Sequence, residues 1–339
     1  MTSFRIVQPE IKEHGCGVSD HSGVLVRLLR ERQREAQRYA VPNRAAARLV
    51  PVVPGDVWIL QLSIYGFSRK GVPLWLPAFV DAARARGVKV VVYFHELWVL
   101  VARGLSSAYW LAPMQRRICE RIAELADYAF FNTDWAYTWG VERMGQRAIY
   151  APTFSNVGEP DEVDAWRERE DVAVVFGSAR TREEIYREAL PALAEQLGRG
   201  HIERVVDIGS GGAWLDTVAQ SLMPWPFEAT GPLSSEAISQ RLMRAKWGFF
   251  NTPWGQASKS GVYAAYACHG VAPVSIFDGV GNYPVPTHYP LPERHFLTRN
   301  AFRDAGDALD TTSAAIGARV FAEHARSAQL IEKIVEITS

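Results

Sequence analysis

Short apolar runs recur along this chain of 339 residues, separated by stretches whose apolar positions follow helical spacing. The runs lie at 4–8, 56–66 (DVWILQLSIYG), 89–98 (KVVVYFHELW), 128–132, 147–150, 171–177 (DVAVVFG), 204–212 (RVVDIGSGG) and 247–250. Near-continuous apolar runs suit parallel strands covered on both faces. Between them the spacing predicts helices over 24–39, 74–86, 114–126, 135–144, 182–197, 234–245, 303–309 and 313–337. The helix over 114–126 turns Ile118, Ile122 and Leu125 inward and Arg116, Arg117, Glu120 and Arg121 outward. Strand–helix alternation with short connections predicts an α/β fold built on doubly wound parallel sheets. The polar, acidic stretch 155–170 (SNVGEPDEVDAWRERE) interrupts this pattern, which then restarts. The division that follows is a first domain over 1–155, a linker over 156–170 and a second domain over 171–312. A last helix over 313–339, with Ile316, Val320, Ile331, Ile334 and Val335, is expected to pack back on the body. Two similar units imply a cleft between them.

The stretch 247–275 reads as strand, loop, helix and strand. Pro253 and Gly255 break the first strand, and Ser258 is placed to cap a helix starting at Lys259. Val262, Ala265, Tyr266 and His269 share one buried face, and Gly270 ends the helix. Lys259, Ser260 and Gly261 at a helix N-terminus suit a phosphate, because free N–H groups and the helix dipole favour negative charge. The alternative is an ordinary loop-to-helix joint. Gly15 and Gly17, in the loop EIKEHGCGVSDHSG, give only an incomplete phosphate-loop fingerprint, but they leave a first strand where α/β sheets bind ligands. His95 and Glu96 end an apolar strand at that same edge. They suit hydrogen bonding or general-base work on a hydroxyl substrate, or capping of the next helix.

Composition narrows the classes. The chain is 48% apolar and 22% charged, which excludes disorder, and its formal net charge of zero gives no polybasic nucleic-acid surface. No nucleic-acid partner is expected. Cys16, Cys119 and Cys268 lie far apart without metal-ligand spacing, so neither a disulfide framework nor a metal site is expected. Charge appears too early for a signal peptide, and the run 88–101 is too short to span a bilayer. The default address is cytoplasmic, with peripheral contact at a membrane surface left open.

In the order of its parts the chain resembles GT-B fold glycosyltransferases, and among them the retaining GT4-like group. The pieces are GCGVSDHSG after the first strand, the His of YFHELW, LADYAFFNTDWAYTWG, VVFGSARTREEIYREALPAL, and ATGPLSSEAISQRLMRAKWGFFNTPW…YAAYACHGVAPV. The last matches the group's donor-site block. The resemblance implies two Rossmann-like domains facing a cleft, and an enzyme moving a sugar from a nucleotide-sugar donor to a hydroxyl acceptor. It further implies retaining, metal-independent transfer with no cofactor beyond the nucleotide sugar as substrate. The acceptor is a glycan, a lipid-linked group or a small molecule.

The resemblance also implies residue roles. Gly177, Arg180, Arg182, Gly209, Ser258, Lys259, Ser260 and Gly261 would hold the donor nucleotide and diphosphate. Arg180 (or Arg182) and Lys259 would offset charge on the leaving group. Gly15, Gly17, Ser19, His21 and Glu96 would lie on the acceptor side, with His95 facing the transferred sugar. Exposed aromatics such as Trp98, Tyr109, Trp110, Trp135, Tyr137 and Trp139 would suit sugar stacking. One departure stands out. The family's paired glutamates, eight apart, fall on Ala257 and Ala265, so both carboxylates are missing. A non-catalytic nucleotide- or sugar-binding relative, or a GT-B epimerase or phosphorylase, are the alternatives.

Overall fold

The computed structural model describes residues 2–10, 17–98, 107–279, 297–304 and 311–339. Two compact units emerge, one formed by Met1–Pro152 with Ser327–Ser339 and the other by Thr153–Arg326.

The first unit runs β1 (Ser3–Gln8), α1 (Gly17–Glu31), β2 (Glu35–Ala40), α2 (Arg44–Ala47), β3 (Val57–Leu62) and α3 (Ile64–Phe67). It continues with α4 (Leu76–Arg84), β4 (Lys89–Phe94), α5 (Ser107–Leu125), β5 (Tyr128–Phe131), α6 (Asp134–Met144) and β6 (Ala148–Tyr150). Its six strands pair in parallel in the order β2-β1-β3-β4-β5-β6. The order reverses between β1 and β3, and open α/β sheets bind ligands beyond the strand ends at such a point.

The second unit runs β7 (Glu170–Phe176), α7 (Ala179–Gly198), β8 (Arg204–Ile208), α8 (Trp214–Ser221), β9 (Phe227–Ala229) and α9 (Ser235–Arg244). Then follow β10 (Ala245–Phe250), a 3-10 turn (Trp254–Lys259), α10 (Gly261–Cys268), β11 (Ala272–Ser275), β12 (Leu297–Thr298), α11 (Arg299–Asp304) and α12 (Thr311–His324). This sheet is also parallel, ordered β12-β11-β10-β7-β8-β9, which is the dinucleotide-fold order with its reversal between β7 and β10. Apolar clusters cover both faces, one around Phe250, Tyr263 and Phe321 and one around Ile185, Trp247 and Phe249. Burial on both faces is why these strands read as continuous apolar runs.

Several elements depart from the pattern. The expected helix over 24–39 is instead α1 followed by strand β2. Polar Ser19, His21 and Ser22 are the buried residues of its first turns, so no apolar period marks the start of α1 at Gly17, while Leu25, Val26, Leu28 and Leu29 bury the rest. β2 is an edge strand in which only Ala36 is buried, and pairing with β1 makes it a strand despite weak alternation. Gly17, Ser19 and His21 therefore sit in helix and not in a loop, while Gly15 and Cys16 lie outside the described residues. The 8-residue α8 was not foreseen. The expected tail helix over 313–337 is two helices, α12 and α13 (Ser327–Thr338). Arg326 donates to the carbonyls of Glu159 and Pro160 at the break, and α13 joins the first unit, packing on α1. The helix expected over 303–309 is Arg299–Asp304, and 305–310 lie outside the described residues.

Candidate functional site

In the second unit the candidate donor residues gather at the reversal point. β7 ends at Gly177, whose φ of 135° favours glycine. Ser178 then caps α7, its hydroxyl accepting from the Thr181 N–H at 3.3 Å. A side chain at Gly177 would stand 3.6 Å from Val262 in the first turn of α10. The loop after β7 and the N-terminus of α10 are thus neighbours.

That N-terminus starts later than the sequence suggested. Residues 254–259 coil into a 3-10 turn, with Ser260 N–H donating to Ala257 O at 2.9 Å. The cap is therefore Ser260 and not Ser258, and its hydroxyl accepts from Tyr263 N–H at 3.2 Å. Ser258 is buried, and its carbonyl accepts from Thr153 N–H at 2.8 Å. Lys259 ends the 3-10 turn, half-buried, and Gly261 opens α10 beside Asn156, whose Oδ1 is buried without a partner. Ala265, Tyr266 and His269 are buried as expected. Val262 is half-buried, and Tyr263, Ala264, Ala267 and Cys268 are buried as well, so α10 is enclosed on more than one face. Gly270 ends it with a φ of 68°.

Tyr266 seats α10 on the sheet. Its hydroxyl bonds the carbonyls of Val174 and Phe249, both at 3.1 Å, and its ring lies over Gly248. A Cβ at Gly248 would fall 2.4 Å from that ring. Gly248→Ala should therefore cost about 1–3 kcal/mol through overpacking. Thermal denaturation checks this; an unchanged midpoint would mean that the ring can move aside.

The arginines divide. Arg180 projects from the first turn of α7 with its side chain 90% exposed, held to Glu184 at 3.2 Å. Glu184 also accepts from Asn251 Nδ2 at 3.0 Å, so one carboxylate ties the start of α7 to the end of β10. Arg182 is wholly buried. Its guanidinium pairs with Asp207 and donates to the carbonyls of Gly177 (3.1 Å) and Ser210. Burial pushes the Asp207 carboxyl up while Arg182 pulls it down. Gly209, with φ of 146°, leaves room for this group, since a Cβ there would stand 2.8 Å from the guanidinium. A direct diphosphate contact by Arg182 is therefore corrected: no part of its side chain reaches the surface, and it ties together the loops after β7 and β8. Ala257 and Ala265 are core residues.

In the first unit a second polar cluster stands at the reversal between β1 and β3. Buried Gln61 offers one amide oxygen to two rings, His21 Nδ1 at 2.9 Å and His95 Nε2 at 2.7 Å. With that oxygen as shared acceptor, both rings donate. Tyr93 stacks against both, its ring centroid 4.5 Å from His21 and 4.6 Å from His95. His95 therefore turns toward Gln61, while exposed Glu96 accepts from Ser63 Oγ at 3.3 Å. Among the stacking candidates, Trp98, Trp135 and Trp139 pack on one another, and Trp139 is buried. Trp110 (72% exposed) and Tyr109 remain on the surface.

Burial lowers the pKa of His21 to about 3, against the Gln61 hydrogen bond. Burial likewise lowers that of His269 to about 4, against its bond to Ala265 O. Both folded values lie below the ordinary 6.5, so the unfolded chain takes up protons first as pH falls. Stability is therefore fully present above about pH 6.5 and declines toward pH 4, by on the order of 3 kcal/mol per histidine. Denaturant midpoints across that window check this; a flat profile contradicts it. Each unit carries one of these rings, so acid should loosen both.

Among the described residues no three His, Cys, Asp or Glu side chains are placed to hold a metal, and no helix is long and apolar enough to cross a membrane.

No model of a protein family matches the sequence, and no curated protein matches it. Solved structures do. An alpha-glucosyltransferase in complex with UDP and a 13-mer DNA matches over all of both chains, with a TM-score of 0.59 at 12% identity. WaaG, a glycosyltransferase involved in lipopolysaccharide biosynthesis, matches over 99% of each chain, with a TM-score of 0.60 at 12% identity. A putative UDP-N-acetylglucosamine 2-epimerase from Listeria monocytogenes matches over 99% of this chain and 95% of its own, with a TM-score of 0.57 at 11% identity. The chain has the GT-B fold. The residues gathered at the β7–β10 reversal lie where such sheets bind ligands.

Proposed function

We propose that the protein is a glycosyltransferase of the GT4-like kind, taking a sugar from a nucleotide-sugar donor held by the second unit. The observation that carries this is the meeting of the Gly177 loop with the N-terminus of α10 at the sheet reversal. Peptide N–H groups, Lys259 and Arg180 supply positive charge there for a diphosphate, with Ser260 and Gly261 at the helix start. Arg180 is itself 90% exposed and held by one half-buried carboxylate, which keeps its Asn251 bond when a diphosphate takes the guanidinium. These charges would stabilise the departing nucleoside diphosphate without a metal. Arg182 would act at one remove, by holding Gly177 and Gly209 in place.

In the first unit His95 would hydrogen-bond the transferred sugar, with Gln61 fixing its tautomer. Glu96, His21, Ser19, Gly17 and Gly15 remain on the acceptor side of this reading. Retention of anomeric configuration asks for charge stabilisation and a positioned hydroxyl, which fits the missing paired carboxylates. An acceptor-free assay tests the reading: slow release of free sugar from a nucleotide sugar is expected. Tight nucleotide binding without turnover, with or without acceptors, would favour a binding-only relative. Conversion of a UDP-sugar to its epimer would favour the epimerase that the third structural neighbour suggests.

A further inference from the structure

The zero net charge of the chain conceals a local excess. Between positions 27 and 48 stand seven arginines (Arg27, Arg30, Arg32, Arg34, Arg38, Arg44 and Arg48) against two glutamates, Glu31 and Glu35. The fold turns three of them onto one surface. Arg27, Arg30 and Arg38 line an open groove of about 740 Å³ between α1 and β2, with Gly23, Val26 and Glu31 as the remaining wall. Arg38 reaches from β2 to the Ser19 carbonyl of α1 at 3.4 Å, and Arg30 Nε of α1 donates to Ala36 O of β2 at 3.0 Å, so both side chains bridge the two walls of the groove. Glu31 is held by Arg27 at 2.9 Å and leaves the groove with net positive charge. Like charges gathered this closely repel, at a cost in stability that a bound polyanion relieves.

We propose that this groove binds the phosphodiester backbone of a nucleic-acid strand. Guanidinium forks match phosphate oxygens in pairs. The groove is open and follows α1 from Gly23 to Glu31, which suits a polymer more than a single phosphate. It carries no aromatic side chain on which a base could stack, so binding follows the backbone and not the sequence. A bilayer surface fits less well, because the basic heads line a concavity and the exposed aromatics Tyr109 and Trp110 lie on another helix, α5. The proposal is independent of the donor reading, since the groove lies wholly within the first unit.

The test is a titration of the full chain with a labelled single-stranded DNA oligonucleotide of mixed sequence, by fluorescence anisotropy at several salt concentrations. With three phosphates neutralised, affinity should fall about 20-fold between 50 and 200 mM salt. Arg27→Glu with Arg30→Glu should bind about 10-fold more weakly and flatten the salt dependence, while Arg117→Glu on α5 should change nothing. Arg27→Glu alone serves if the double variant folds poorly, since that side chain is exposed and pairs only within α1. Three results would overturn the proposal: no binding, binding unaffected by the groove variants, or capture by phosphatidylglycerol vesicles through these arginines without binding of the oligonucleotide. Loss of nucleoside-diphosphate binding in the same variants would be a fault of folding, and is not expected.

Discussion

Arg182→Ala is expected to destabilise the second unit by about 3–5 kcal/mol, the largest effect of any single change considered. The side chain is fully enclosed, and so is its partner. Removing it leaves the Asp207 carboxylate buried without a counter-charge and strips the Gly177 and Ser210 carbonyls of their donor. For a unit of this size the thermal midpoint should fall by roughly 10 °C. Replacing both partners with apolar residues, Arg182→Met with Asp207→Leu, should recover much of that loss, because the desolvation of the ions is recovered too. Nucleotide binding should not recover in the double variant, since nothing then holds the two glycine loops together. A fall below 1 kcal/mol in Arg182→Ala, or full recovery of nucleotide binding in the double variant, would show that the pair does not position the site.

The second large effect concerns ligand affinity and leaves the fold alone. Arg180→Ala and Lys259→Ala should each weaken nucleoside-diphosphate binding by about 10- to 150-fold, the worth of one hydrogen bond to a charged group. Arg180 lies 90% exposed, so its loss should leave the thermal midpoint of the free protein unchanged. The contrast with Arg182 is diagnostic: two arginines two residues apart, one felt in stability and one in binding. Calorimetric titration of both variants checks this. Equal affinity in Arg180→Ala and the parent chain would return the Arg180–Glu184 pair to a surface ion pair of no consequence.

Much of this architecture was legible in the sequence because parallel strands buried on both faces announce themselves as apolar runs. The strands at 57–62, 89–94 and 170–176 are cases. The helix expected over 234–245 was legible too, and it runs Ser235–Arg244 with Ser234 accepting from Ala237 N–H as its cap. What failed did so for identifiable reasons. The first turns of α1 bury polar Ser19, His21 and Ser22, with His21 held by Gln61 and Ser22 by the Val18 carbonyl, so no apolar period marks where the helix begins. β2 becomes a strand by pairing alone. The register of the cap on α10 slipped by two because a 3-10 turn absorbs residues that look like the start of a helix.

The candidate site was half visible. Glycine, lysine and serine at a helix start carry their chemistry openly, whereas a buried arginine and an exposed one are identical in sequence. Arg182 faces inward because α7 places it one position from Glu183 on the side toward β8, where Asp207 waits. Gln61 and Asn251 are hard to read from sequence, since each acts through partners 34 or more residues away. A glutamine at the end of an apolar strand opposite two histidines was the one clue available for Gln61.

The most direct measurement is isothermal titration of the intact protein with a panel of nucleoside diphosphates, carried out in parallel on Lys259→Ala. At least one nucleoside diphosphate should bind, and Lys259→Ala should weaken that binding at least about tenfold. No binding by any member of the panel, or equal binding by both proteins, would contradict the donor-site reading.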